Sequence, residues 1–132
     1  MKRTVITAGL MLAALSVNAN AEETAGQEEY EVACAICHGE SGKGNGAFAP
    51  LLNIEVPGLT GLSAGNDGVF PFLDTFMMID GRTQIGAHGT AMPIWGERFT
   101  TSAAENYGPY GGEVVVRGRI LSLVYYLESI QE

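Results

Sequence analysis

The pentapeptide Cys34-Ala35-Ile36-Cys37-His38 gathers the only two cysteines of a 132-residue chain and one of its two histidines. Two thiols three positions apart lie near each other at a helix end, so both can bond the vinyl groups along one edge of a tetrapyrrole. The histidine that follows can swing beneath the ring and offer an imidazole nitrogen to its iron. C-x-x-C-H is the attachment pattern of c-type haem. Three other chemistries use part of it. A thioredoxin-like redox pair needs a βαβ setting, and no such pattern is present. A zinc site needs two further ligands, and His38 and His88 are the only histidines on offer. A structural disulfide would leave His38 without a role.

The elements that must position these residues follow from periodicity. Residues 22–37 read as a helix, with acidic residues in its first turns and Tyr30, Ala33, Cys34 and Cys37 on one face. His38-Gly39 ends it, and glycines at 39, 42, 44 and 46 predict a loop through Pro50. Residues 51–68 read as loop, and residues 70–79 as a second helix stopped by Asp80-Gly81. Residues 101–112 are polar and glycine-rich. Residues 113–130 form the clearest helix, with Val116, Ile120, Leu123, Val124, Leu127 and Ile130 on one broad apolar face. No alternating strand pattern or internal repeat is found. The expected fold class is all-α: three or more helices joined by glycine-rich loops. Such loops make a poor hydrophobic core, which suggests that something other than protein fills the middle.

Composition sets the surroundings. The chain is 46% hydrophobic, too apolar for disorder, and carries a formal charge of −8, which disfavours nucleic acid as a partner. Its eighteen glycines follow no three-residue period, which excludes collagen, and two cysteines cannot build a multi-bridge disulfide scaffold. Lys2 and Arg3, the uncharged run 5–17 and Ala19-Asn20-Ala21 read as a secretory signal cut after Ala21, with an uncleaved anchor as the alternative. The expected product is one domain, 22–132, soluble in the periplasm. Loss of the two cations takes its charge from −8 to −10.

In this order, a helix ending in C-x-x-C-H, a glycine loop reaching Pro50, a Met-Pro at 92–93 and an amphipathic last helix, the chain resembles the class I (mono-haem) cytochrome c family from Gly26 to Ile130. The resemblance implies one covalently bound haem c, with Cys34 and Cys37 as anchors, His38 as proximal iron ligand and Met92 as distal ligand. The competitors for the distal position are Met77 and Met78, which core packing explains, and His88. Pro50 matches the loop position whose carbonyl takes a hydrogen bond from the proximal imidazole, a contact that orients the ring. Gly26 and Tyr30 match the pair at which the first helix crosses the last, against Tyr125 or Tyr126. Trp95 reads equally as a haem propionate donor or a core residue, and Arg82 as a surface residue or a propionate partner. Residues 58–69 and 97–112 are longer than the family pattern, and Tyr107, Pro109 and Tyr110 in the latter are candidates to cover the haem edge or meet a partner.

The resemblance further implies a one-electron carrier rather than an enzyme, whose acidic surface steers it to redox proteins with a basic docking surface. The alternatives are a haem subunit held permanently in a dehydrogenase or oxidase complex, and a haem sensor whose distal ligand is displaced.

Overall fold

Glu28 and Glu29 follow the start of α1 (Asn20–Ala33), and Tyr30 is its fully buried anchor. The structure is a computed structural model that describes residues 20–82 and 92–132, with side chains from Ala25 onward. α1 begins two residues before the expected cleavage point, and residues 1–19, with most of the expected export signal, lie outside the described residues. Cys34 interrupts the helix predicted over 22–37, and a separate turn, α2 (Ala35–His38), carries the rest of the motif. Both Cys37 and His38 direct their backbone N–H groups to the Cys34 carbonyl, at 3.1 and 2.9 Å, which tightens the chain at that point.

α3 (Phe72–Asp80) matches the second predicted helix to within two residues, and Gly81, left-handed at φ 66°, returns its N–H to the Met77 carbonyl as a C-cap. The last element departs more. α4 (Trp95–Ser129) includes the 101–112 stretch expected to be a non-helical link. It contains one break, at Gly108 (φ 66°, ψ 177°), followed by Pro109, whose missing N–H is harmless in a first helical turn. The break is sharp. A methyl on Gly112 would lie 3.1 Å from Ala104 Cα, whereas a straight helix would separate positions eight apart by about 12 Å. Arg119 likewise lies over the Phe99 ring at 4.0 Å. The arms 95–107 and 109–129 therefore fold back on each other, with 104 opposite 112 and 99 opposite 119. Tertiary burial of Phe99, Ala103 and Gly112 offsets the roughly 1 kcal/mol each helical glycine costs, which local propensity alone does not foresee.

Among the described residues the secondary structure is helices and two 3-10 turns, with no strand, so the fold is all-α at that level. No helix among them is long and apolar enough to cross a membrane. The core is larger than the sequence led us to expect, because the first arm of α4 adds Phe99 and Ala103 to Tyr30, Ile79, Val116, Ile120, Leu123, Val124 and Leu127. Its centre is the crossing of α1 with the second arm of α4. Gly26 has no side chain there because a Cβ would overlap the Ser122 carbonyl and lie 2.9 Å from Tyr126 Cβ. Tyr30 and Tyr126 pack with ring centroids 5.2 Å apart, while Tyr125 turns to Phe72. The expected Gly26/Tyr30 crossing is thus formed with Tyr126.

Ion pairs hold the outer layer. Arg119 joins Glu29 of α1 at 2.6 and 2.9 Å, and Arg82 spans buried Asp80 and Glu113 of α4. Hydrogen bonds from Arg82 first, and from Arg117, hold the Glu113 carboxyl down at about 2. That depression stabilises the fold fully above the ordinary carboxylate range near 4.5, and the gain is lost as pH falls toward about 2. Glu113→Gln should therefore flatten the acid limb of a thermal-stability profile between those values, most clearly at low salt, where partly exposed pairs are least screened. Gly26→Ala should cost about 1–3 kcal/mol in denaturant unfolding, since the atom it meets is backbone and cannot rotate away.

Candidate functional site

The three chemically capable side chains of the pentapeptide sit in unlike surroundings. His38 is buried at 6% exposure. Its Nδ1 lies 3.0 Å from the Pro57 carbonyl, and because a carbonyl only accepts, Nδ1 carries the proton. Burial pushes the imidazole below its ordinary value, against a smaller opposing pull from the Pro57 carbonyl, so the ring is held neutral. Nε2 is then an unprotonated lone pair with no partner among the described residues. Cys34 is equally buried, and burial first, then Glu29 and Cys37, raises its thiol to about 12. Cys37 is half-buried, and both are free thiols. The two do not lie near each other, contrary to the expectation from their spacing, because the chain tightens at Cys34 and leaves one thiol buried and the other partly exposed.

The carbonyl behind His38 belongs to Pro57, not to Pro50 as the loop pattern suggested. Pro50 lies exposed within the 3-10 turn Ala49–Leu51. The reason is the path of the glycine loop. Gly44 N–H donates to the His38 carbonyl at 2.7 Å, Gly46 to Cys37 at 3.0 Å, and Phe48 to Ile36 at 2.9 Å, so the loop first wraps the back of the motif. A methyl on Gly46 would lie 2.5 Å from the Cys37 carbonyl carbon, so the two backbones are in direct contact. Gly44, at φ 77°, then lets the following strand of loop stack on it, where any Cβ would run into the Val56 carbonyl and lie 3.1 Å from the Pro57 carbonyl carbon. Seven residues after Pro50, the chain has come round to the imidazole.

That second stretch is held from the far end of the molecule. The Gln131 side chain donates to the Leu59 and Leu127 carbonyls and accepts from Ser63 N–H, while Glu132 N–H donates to the Thr60 carbonyl at 2.9 Å. Leu59 N–H also reaches the Gly42 carbonyl at 2.6 Å. From the other side, the Tyr30 hydroxyl donates to the Gly39 carbonyl at 2.6 Å, in a contact that crosses from α1 to the start of the loop. Gln131 is the positioning residue that sequence reasoning missed. A lone glutamine past a helix end carries no pattern, and only its bonds to a loop some seventy positions away reveal it.

Among the described residues no three His, Cys, Asp or Glu side chains converge to hold a metal ion; His88, the other histidine of the zinc alternative, lies outside them. The loop that follows the motif exposes Phe48 at 51%, Leu51 at 74% and Ile54 at 47%, three large apolar side chains turned to solvent within seven positions.

The other candidates are dispersed. Met92 is half-buried on the segment that enters α4, and Met77 and Met78 are half-buried on α3. His88 lies outside the described residues. Trp95 packs against Phe99 at 5.6 Å with Arg98 over its ring, and Arg82 is engaged by two carboxylates. Tyr107 and Tyr110 flank the Gly108 break and are exposed at 63% and 84%.

In the chain without a prosthetic group, an alkylating reagent at neutral pH should modify Cys37 well before Cys34, because the thiolate is the nucleophile and the Cys34 thiol is held protonated. Peptide mass mapping reads the order. Gln131→Ala should cost about 1 kcal/mol in denaturant unfolding, since it removes bonds to partly buried loop groups.

No family model, curated protein or solved structure matches this chain.

Proposed function

We propose that the protein is a single-haem c-type cytochrome that carries one electron at a time between redox proteins in the periplasm, after export and cleavage behind Ala21. The observation that supports this most is the state of His38: neutral, buried, with Nδ1 fixed by Pro57 and Nε2 left bare, directly after two free thiols. Second-shell fixing of one imidazole nitrogen is how ligating histidines are oriented and made more basic. Exposed Phe48, Leu51 and Ile54 on the loop after the motif are apolar side chains available to cover a flat, largely apolar ring. The crossing of α1 and the last helix at Gly26, Tyr30 and Tyr126, with the glycine loop between motif and Pro57, fits a cytochrome c-like arrangement.

Each residue then has a defined task. Cys34 and Cys37 would anchor haem c through their sulfurs. His38 Nε2 would ligate the iron from the proximal side, and Met92 would supply a soft thioether on the distal side. When bound, the group supplies a ferric–ferrous couple. The protein's part would be to keep His38 and Met92 fixed in either oxidation state, so that little rearrangement opposes transfer. Pro57 orients the imidazole, and burial of Cys34 and His38 limits water at the motif. The role proposed is that of a carrier rather than an enzyme, as the resemblance implies.

Charge defines the partner. Four of the five mature cations are consumed internally, Lys43 by Glu132, Arg82 by Asp80 and Glu113, Arg117 by Glu113, and Arg119 by Glu29. Exposed Glu40, Glu55, Asp67 and Asp74 have no cationic partner among the described residues and are free to meet a basic surface. A second reading, a haem subunit resident in a larger oxidoreductase complex, draws on exposed Tyr107, Tyr110 and Val114 around the helical break.

Mass spectrometry of protein exported together with haem-maturation machinery should show one haem mass on the peptide containing Cys34 and Cys37, and the reduced protein should absorb as a low-spin haem. A colourless protein with both thiols unmodified overturns the proposal. Cys34→Ser with Cys37→Ser should abolish the added mass. Electron transfer to a basic partner should slow as salt rises, and a rate indifferent to salt favours the resident subunit. Reduced protein that takes up carbon monoxide readily at neutral pH would instead indicate a displaceable distal ligand.

A further inference from the structure

The base of the segment that leads to Met92 is locked from two sides. Arg82 reaches Asp80, its neighbour at the end of α3, with two guanidinium nitrogens, the second at 3.2 Å. The same guanidinium reaches Glu113 on the second arm of α4 at 2.6 and 3.2 Å. Asp80 is buried at 5% exposure, so Arg82 is its required counter-charge. On top of this cluster sits the first turn of α4. A Cβ on Gly96 would overlap the Asp80 carboxylate, and would lie 2.6 Å from Arg82 Nε and 2.7 Å from the Asp80 carbonyl oxygen. Two residues earlier, at the N-cap, Ile94 packs on Gly81, 3.2 Å from where a Cβ of that glycine would be. The chain therefore leaves α3 at Arg82 and returns beside Gly81 and Arg82 when it re-enters at 94–96. Met92 stands two residues outside that closure.

We propose that Asp80, Arg82 and Glu113, with Gly96 seated on them, position Met92 for its bond to the iron. This rests on the proposed haem function. The physical need is plain: a neutral thioether is a weak donor, so it holds iron only if the backbone carrying it is already in place. Seating residues 94–96 on α3 and on the second arm of α4 fixes the backbone two to four positions from Met92 before it binds. Arg82 is thus a positioning residue whose charge is spent on Asp80 and Glu113, and a haem propionate is not needed to explain it. Asp80 also lies at the N-terminal end of α4, where the helix dipole favours a negative charge.

Two variants attack the closure by different physics. Arg82→Gln removes the charge, and Gly96→Ala forces a methyl into the Asp80–Arg82 ion pair and against the Asp80 carbonyl oxygen. Each is made in the full-length exported holoprotein. In each, haem mass on the Cys34–Cys37 peptide should be unchanged, while the far-red absorption of the oxidised protein that reports a sulfur–iron bond is lost at lower pH than in wild type. Carbon monoxide uptake by the reduced protein should rise by about tenfold or more, and the midpoint potential should fall, because loss of a sulfur donor favours the ferric state. Arg82→Lys should restore part of the band. Amide hydrogen exchange gives a reading that needs no haem: amides of 94–99 should exchange about tenfold faster or more, while those of 116–127 stay protected. Should Arg82→Gln fail to fold, Gly96→Ala with Glu113→Gln carries the same test. Variants with wild-type band, potential and carbon monoxide uptake overturn the positioning role. Wild-type protein lacking haem overturns the function beneath it, and is seen before any variant is compared. Wild-type protein with haem but no sulfur–iron band overturns the assignment to Met92 alone.

Discussion

One hydrogen bond decides how the rest of this molecule must be built: His38 Nδ1 to the Pro57 carbonyl. It spends one nitrogen of a buried imidazole and, by doing so, determines that the other is a bare lone pair. Burial without that bond would leave two unsatisfied nitrogens, and the ring would be free to choose either tautomer. Supplying the carbonyl requires a loop to return to the motif from nineteen residues away. The glycines at 44 and 46 permit the return, Tyr30 and Gln131 anchor it at either end, and the α1–α4 crossing places those anchors. The fold can be read outward from that one contact, each layer existing because the previous one needs something to lean on.

The doubling back of α4 at Gly108 solves a second problem. A chain with this many glycine loops has few helical surfaces to bury against one another. A single straight final helix would present one apolar face and leave Phe99 and Ala103 in solvent. By folding the arm 95–107 against 109–129, the protein brings Phe99 under Arg119 and Ala104 beside Gly112, and brings the start of α4 back to the end of α3. The same hairpin thus extends the core and creates the Asp80–Arg82–Glu113 cluster. Its cost is an exposed corner at Tyr107 and Tyr110, which a purely structural device would have little reason to make aromatic.

What the sequence revealed and what it hid divide along the range of the interactions. The C-x-x-C-H motif, the stop at Asp80-Gly81 and the apolar face from Val116 to Leu127 are local patterns whose spacing is their geometry, whereas the Gly26/Tyr30 crossing is implied only by the family resemblance. Identity of the carbonyl partner was not local. Pro50 and Pro57 are indistinguishable by composition, and only the stacking of Gly44 on 56–58 selects the second. The helical state of 101–112 was hidden for a related reason: glycine, proline and serine vote against helix in isolation, and burial against the opposite arm outvotes them. Arg82 reads as a solvated cation until α4 is folded and delivers Glu113, thirty-one positions later.

Electrostatics connects these layers to the proposed role. An acidic protein with scattered arginines would show partners a mixed surface, and mixed surfaces steer poorly. Here the cations are used as internal fasteners, between α1 and α4, between α3 and α4, and between loop and C-terminal end. Each internal pair is modest in energy when partly exposed, since solvent and salt screen it. Because the chain carries many more carboxylates than cations, committing these few cations to pairs leaves exposed Glu40, Glu55, Asp67 and Asp74 without a cationic partner among the described residues. A fold that fastens itself with its positive charges and leaves its negative ones outside has in the same act defined a surface for a basic partner, and specificity of that kind governs how fast partners meet more than how long they stay.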